Sequence, residues 1–177
     1  MSYLNKMLAG LGITEADMPS AIDNMMDFSK QVRMIESGDD KMRIPGIEGN
    51  TAKGVYQFTD DSVDTGIQRM RNMQDKYGVF NEDFIGSIKP NPQDWNDEQA
   101  DAMFFANLFS APDTDSLLTE VALGSQTARQ DLYKGTHHTS PDEATIAQML
   151  KYIPNLEQPV DDMFAGNKKV QNAFPTK

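Results

Sequence analysis

The sequence predicts a mainly α-helical protein that folds as a single domain, with at most a small β-hairpin. Apolar residues recur at three- and four-residue spacing in several segments, as they do on one face of a helix. No alternating apolar–polar pattern persists long enough to indicate a large sheet. A length of 177 residues suits one sizeable core. We predict a helical domain over residues 1–155 and a polar, proline-interrupted tail over residues 156–177.

The first two predicted helices frame the most informative part of the chain. Apolar side chains follow one helix face from Ile22 to Ile35, and Gly38 is a natural stop after them. A second helix is expected to begin between Thr59 and Ser62, where two acidic residues suit the positive end of a helix dipole, and to end near Gly78. Residues 53–58, between these helices, are the candidate arm of a small hairpin.

Three more helices are predicted in the second half of the chain. Asn96 is a suitable N-cap, and Gln99 three residues later completes a capping box. The stretch 115–133 is helical in pattern, with a break expected at Gly124-Ser125. The last helix has the clearest start signal, because residues 140–143 place a serine cap, a proline at the first helical position and a glutamate in sequence.

Composition argues against several classes of function. The net charge of −11 and the scarcity of clustered Lys and Arg make nucleic acid a poor partner. The absence of cysteine excludes disulfides and thiolate metal sites. The first 20 residues lack the apolar core of a secretory signal, and no window is long enough to span a bilayer. We therefore expect neither a signal peptide nor a membrane span.

Glu36 is the first candidate for chemistry. It ends an apolar helix, where unpaired carbonyls carry partial negative charge, and both this charge and the nearby apolar surface disfavour a carboxylate. These effects raise the pKa of a glutamate, and a protonated glutamate near neutral pH is what a general acid requires. The tripeptide Glu36-Ser37-Gly38 alone is also compatible with an exposed loop residue.

A second motif follows the polar loop and favours a catalytic role for Glu36 over that of an exposed loop residue. Gly54 suits a close backbone approach, and the adjacent segment to Phe58 brings aromatic rings and the amide of Gln57, which could hold a substrate or a water. Glu36-Ser37-Gly38 followed by Gly54-Val55-Tyr56-Gln57-Phe58 resembles the lysozyme-like superfamily. Within it, the pattern is most similar to soluble lytic transglycosylases and goose-type lysozymes, especially those carried in phage virions.

The resemblance implies a lysozyme-like fold and a specific site. In that family the Glu-Ser pair at a helix end supplies the sole catalytic acid/base, and a Gly-x-x-Gln segment lines the cleft opposite it. Carried over to this chain, the resemblance makes Glu36 the catalytic residue and Ser37, Gly54, Tyr56 and Gln57 substrate-binding residues. It requires no cofactor and no metal.

One family motif is missing. A later Ala-Tyr-Asn or similar tripeptide is usual, and this chain instead has Tyr133, followed by His137, His138 and Thr139. We predict that Tyr133 and His138 substitute as substrate-binding residues. Two other interpretations of the histidine pair stay open. The side chains cap and pack the loop, or they bind a metal, for which the evidence is weak because no third ligand is nearby.

The expected partners are peptidoglycan glycan strands and other virion proteins. The resemblance implies a lytic transglycosylase in a phage virion, acting in the host periplasm or cell wall. Glycosidases commonly use two carboxylates, but Asp39, Asp40, Asp60 and Asp61 are better explained as solvated or capping residues. A hydrolysing lysozyme or endolysin and a structural or assembly virion protein without activity remain the alternatives.

Overall fold

Helices make up most of the chain in the computed structural model, which describes residues 2–40, 42, 52–136 and 143–154. The described part contains eight α-helices and one short 3-10 helix at Pro92–Asp94. The α-helices are α1 (Ser2–Gly10), α2 (Met18–Glu36), α3 (Asp60–Tyr77), α4 (Glu82–Ser87), α5 (Asp97–Phe109), α6 (Asp115–Ala122), α7 (Gln126–Thr136) and α8 (Glu143–Tyr152). The predicted mainly α fold class is confirmed.

Helix α2 organises the packing. It contacts α1, α6 and α8, while α3 packs against α5 and α4, and α6 packs against α7. The buried side chains of these helices join into one hydrophobic core, to which Met25, Met70 and Met103 contribute fully buried side chains. Methionine therefore fills helix–helix gaps here, as its flexible side chain allows. Among the described residues, no helix is long and apolar enough to cross a bilayer.

The predicted helix ends are confirmed where the structure describes them. Thr59 caps α3 with its side chain, and Gly78 ends that helix in the left-handed conformation. Asn96 and Gln99 form the reciprocal hydrogen bonds of the predicted capping box at the start of α5. The expected break near Gly124 separates α6 from α7, and Gly124 has a φ of 97°.

Some elements differ from the sequence prediction or lie outside the described residues. Helices α1 and α4 were not predicted, because both are too short for a long periodic signal. The expected hairpin consists, in the described residues, of one antiparallel bridge between Lys53 and Phe58. The start signals at Ser140 and Pro141 and the tail at 156–177 fall outside the described residues.

Candidate active site

Glu36 is the last residue of α2, and its side chain is half-buried. The preceding residue, Ile35, is buried in the core, so the carboxyl group lies at the boundary between the core and the loop that follows. Glu36 thus has both features that the sequence predicted, a position at a helix end and a buried apolar neighbour. Each disfavours the ionised carboxylate.

Tyr133 has the opposite effect on Glu36, because it favours the ionised carboxylate. Its side chain is fully buried on α7, and its hydroxyl donates a hydrogen bond of 2.7 Å to Oε1 of Glu36. A donor at this distance stabilises the ionised carboxylate and restricts its rotation. The structure therefore brings together two predicted site residues that are 97 positions apart in the sequence.

Ser37 connects the end of α2 to the second motif. Its side chain is buried, and its hydroxyl lies 2.9 Å from the carbonyl oxygen of Val55 and 3.1 Å from that of Arg33. The hydroxyl has one proton to share between these two acceptors. The contact with Val55 joins the helix end directly to the turn that contains the Gly-x-x-Gln segment.

That turn spans residues 54–57 and is closed by the Lys53–Phe58 bridge. The two bridging residues exchange both backbone hydrogen bonds, at 2.8 and 2.9 Å. Gly54 has a φ of 76°, and a Cβ atom there would lie 2.9 Å from Cβ of Pro92. Glycine is therefore favoured by the backbone conformation, and it allows the close approach to Pro92 without a clash.

Gln57 has an ordered side chain in this turn. Its backbone is left-handed, with a φ of 52°, and its side-chain amide donates a 2.8 Å hydrogen bond to the carbonyl oxygen of Gly54. Its side chain is half-buried. The side-chain amide of Gln57 is thus held in place by the turn itself.

Tyr56 occupies a different environment from the one its predicted role requires. Its side chain is 3% exposed and stacks on Phe104 of α5 with ring centroids 4.5 Å apart. Its hydroxyl donates to a carboxylate oxygen of Asp101. In this structure the ring supports the turn from the core side and does not present a face to a substrate.

Arg33 and the buried Asp101 belong to a charge network that the sequence interpretation missed. Arg33 lies one turn before Glu36, and its guanidinium contacts Asp39 at 2.7 Å, Asp97 at 3.0 Å and Asp101 at 3.7 Å. Burial raises the pKa of the Asp101 carboxyl, against the opposing effects of the Tyr56 hydrogen bond and the Arg33 charge. The network ties α2, α5 and the turn together beside the candidate acid.

Two sequence signals could have identified this network. A basic residue in the last turn of a helix interacts favourably with the helix dipole, which describes Arg33. Asp101 is a carboxylate among the apolar, core-facing residues of α5, and a buried carboxylate usually has a partner.

Three of the four carboxylates considered as a second catalytic group have polar partners in the described residues. Asp39 accepts the 2.7 Å hydrogen bond from Nε of Arg33, and its side chain is half exposed. Asp60 and Asp61 lie in the first turn of α3, where Asp60 also pairs with Lys53 at 3.6 Å. Asp40 is exposed and accepts a hydrogen bond from the backbone of Met42.

His137, His138 and Thr139 lie outside the described residues, so the predicted substitution by His138 stays a prediction. Within the described ranges, no group of three His, Asp or Glu side chains could hold a metal ion. No protein-family model matches the chain, and neither a curated protein nor a solved structure matches it. What the site can do is therefore inferred from its geometry and its motifs.

Proposed function

We propose that this protein is a peptidoglycan lytic transglycosylase of a phage virion that opens the cell wall during genome entry, with Glu36 as its only acid/base. One observation carries the proposal. The helix-end glutamate, the serine after it and the Gly-x-x-Gln turn are joined by the contact between Ser37 and Val55, and Tyr133 of a third segment binds the glutamate. The resemblance to the lysozyme-like superfamily supplies the substrate class.

The proposed reaction needs one proton donor that later accepts a proton. Protonated Glu36 donates to the glycosidic oxygen, and the bond from that oxygen to C1 of muramic acid breaks. The 6-hydroxyl oxygen of the same sugar then bonds to C1, and its proton passes to Glu36. The product is a 1,6-anhydro sugar, no water is consumed, and the acid returns to its starting form.

Tyr133 has a role in the middle of this cycle. Once Glu36 has given up its proton, the 2.7 Å hydrogen bond from the Tyr133 hydroxyl stabilises the carboxylate and keeps it oriented. The carboxylate can then act as the base. The half-buried position limits the access of water, which favours attack by the tethered hydroxyl.

Hydrolysis by a lysozyme-type mechanism is the second candidate, and the partners of the nearby aspartates argue against it. A hydrolase holds an attacking water or a covalent intermediate, usually with a second carboxylate at a defined distance. Asp39 is engaged by Arg33, and Asp60 pairs with Lys53 at the start of α3. These pairings favour the mechanism that requires one carboxylate.

Digestion of purified peptidoglycan tests the proposal. We expect the wild-type protein to release muropeptides that end in 1,6-anhydro-muramic acid, lighter by one water than hydrolytic products in mass spectra. Glu36→Gln should lower the rate at least ~10²-fold, because the general acid is lost. Glu15→Gln removes the same charge from an exposed position and is expected to keep full activity.

The outcomes separate the alternatives. Products with reducing ends would make the protein a lysozyme. If the folded wild-type protein and Glu36→Gln are equally inactive, a structural or assembly role in the virion replaces the enzymatic one. Detection of the chain in purified phage particles by mass spectrometry tests the proposed location.

A further inference from the structure

Arg129 is a buried arginine on α7 that the proposed chemistry does not use. Its side chain is 3% exposed, and its guanidinium reaches across to α2. Nη1 donates to Oε1 of Gln31 at 3.0 Å, and Nη2 lies 3.1 Å from the backbone oxygen of Asn24 and 3.4 Å from its side-chain oxygen. One planar group therefore spans two residues of the neighbouring helix.

This arrangement is costly for stability. Among the described residues, no carboxylate lies within ion-pair distance of Arg129, and its buried Nε has no hydrogen-bond partner there. Burial lowers the pKa of Arg129, and the more distant charge of Asp27 offsets this in part. The side chain is held by neutral acceptors on α2, which would lose this donor if Arg129 were truncated.

The contacts of Arg129 join α7 to one side of α2. Asn24 and Gln31 are seven residues apart, which is two helical turns, so both project from the same side of α2. Arg129 and Tyr133 are four residues apart and share one face of α7. A shift of about 1 Å between the helices would take the Tyr133–Glu36 contact beyond hydrogen-bond range.

We propose that Arg129 is a positioning residue that fixes the register of α7 against α2 by binding Asn24 and Gln31, and so holds the Tyr133 hydroxyl on Glu36. The catalytic meaning of this contact rests on the proposed function. The geometric claim itself concerns only the two helices, and it can be tested without a substrate.

A double-mutant cycle on the titration of Glu36 tests the geometric claim. The side-chain carboxyl of Glu36 is followed by ¹³C NMR in wild type, Tyr133→Phe, Arg129→Met and the double variant. Loss of the tyrosine donor should raise the pH at which Glu36 takes up its proton. We expect Arg129→Met to raise it as well, and to have little further effect once Tyr133 is already Phe.

Two further variants exclude simpler explanations. Arg129→Lys keeps the positive charge but cannot bind both acceptors with one planar group, so it should shift the Glu36 titration in the same direction. Arg69→Met is the matched control. Arg69 also joins two helices, through a 2.5 Å hydrogen bond to Asn107, but on α3 and α5, and its loss should leave the Glu36 titration unchanged.

The results distinguish failure of this inference from failure of the proposed function. If Arg129→Met shifts the Glu36 titration equally in the wild-type and Tyr133→Phe backgrounds, the effect is one of long-range charge only, and the inference is overturned. An unchanged Glu36 titration in Arg129→Lys would also overturn it. If the protein cleaves peptidoglycan, Arg129→Met should lower kcat at least ~10-fold with KM little changed, since a positioning contact acts on the reacting group. An inactive wild-type protein would refute the enzymatic proposal, while the titration cycle would still decide the role of Arg129.

Discussion

Replacement of Gly54 by alanine introduces one methyl group at the turn of the candidate site. An alanine with a φ of 76° is in the left-handed region, which costs ~1–2 kcal/mol. Its Cβ would also lie 2.9 Å from Cβ and 3.1 Å from the carbonyl oxygen of Pro92, and overpacking of this kind costs ~1–3 kcal/mol. The reduced freedom of the unfolded chain returns ~0.4–1 kcal/mol. We therefore expect Gly54→Ala to lower the free energy of unfolding by about 1–5 kcal/mol.

Gly12→Ala provides the matched control. Gly12 has a φ of 83°, and nothing lies within 4 Å of the position its Cβ would take. This variant therefore carries the backbone strain without the Pro92 contact, and the difference between the two variants should be ~1–3 kcal/mol. Urea unfolding monitored by circular dichroism measures both, with a shifted midpoint and an unchanged m-value as the sign of a stability effect.

The same pair of variants connects stability to the site. Activity is compared without urea, where both variants remain folded. Gly54→Ala should reduce peptidoglycan cleavage, because the turn that carries Gln57 must move away from Pro92. Gly12→Ala should leave cleavage unchanged. Equal destabilisation by the two substitutions would refute the reasoning, since it would mean that Pro92 does not constrain the turn.

Two other substitutions probe the supports of the site. Ser37→Ala removes the hydroxyl that contacts Val55 and should lower the free energy of unfolding by ~1–3 kcal/mol, measured by urea titration; no change would exclude this contact as a link between the motifs. Asp101→Asn tests the sign of a pH effect. Burial raises the pKa of Asp101, so the folded state binds the proton of this carboxyl more tightly than the unfolded state does. The free energy of unfolding of the wild type should therefore increase relative to that of the variant as the pH falls from 7 towards 4. A constant difference between the two proteins across this range would contradict the assignment.

The sequence was sufficient for features that depend on local chemistry. The capping box at Asn96, the end of α3 at Gly78 and the end of α2 at Glu36 are set by nearby residues, and each was predicted at its observed position. Residues 53–58 were predicted as one arm of a small hairpin, whereas in the structure Lys53 and Phe58, the two ends of this segment, pair with each other. In all these cases the determining hydrogen bonds join residues close in sequence.

Contacts between distant segments were harder to predict. Tyr133 was predicted only as a substitute for the missing family motif. The pairs Arg33–Asp101 and Arg129–Gln31 could not be predicted from spacing, because the partners are far apart in the chain. The placement of Tyr56 was missed for a related reason. Its motif position indicates a cleft, whereas the stacking on Phe104, which only the tertiary structure reveals, places its ring in the core.

The hydrogen bond between Tyr133 and Glu36 closes a loop of 97 residues, and this has a consequence for folding. Contacts of large sequence separation require the entropic cost of loop closure before they form, so they tend to form later than local ones. A nascent or partly refolded chain could therefore contain α2 and the turn at 54–57 while its acid still lacks the tyrosine. Local opening of α7 would likewise separate the pair before the remaining helices unfold. The proposed acid is thus paired with its tyrosine only once α7 has reached its place beside the end of α2.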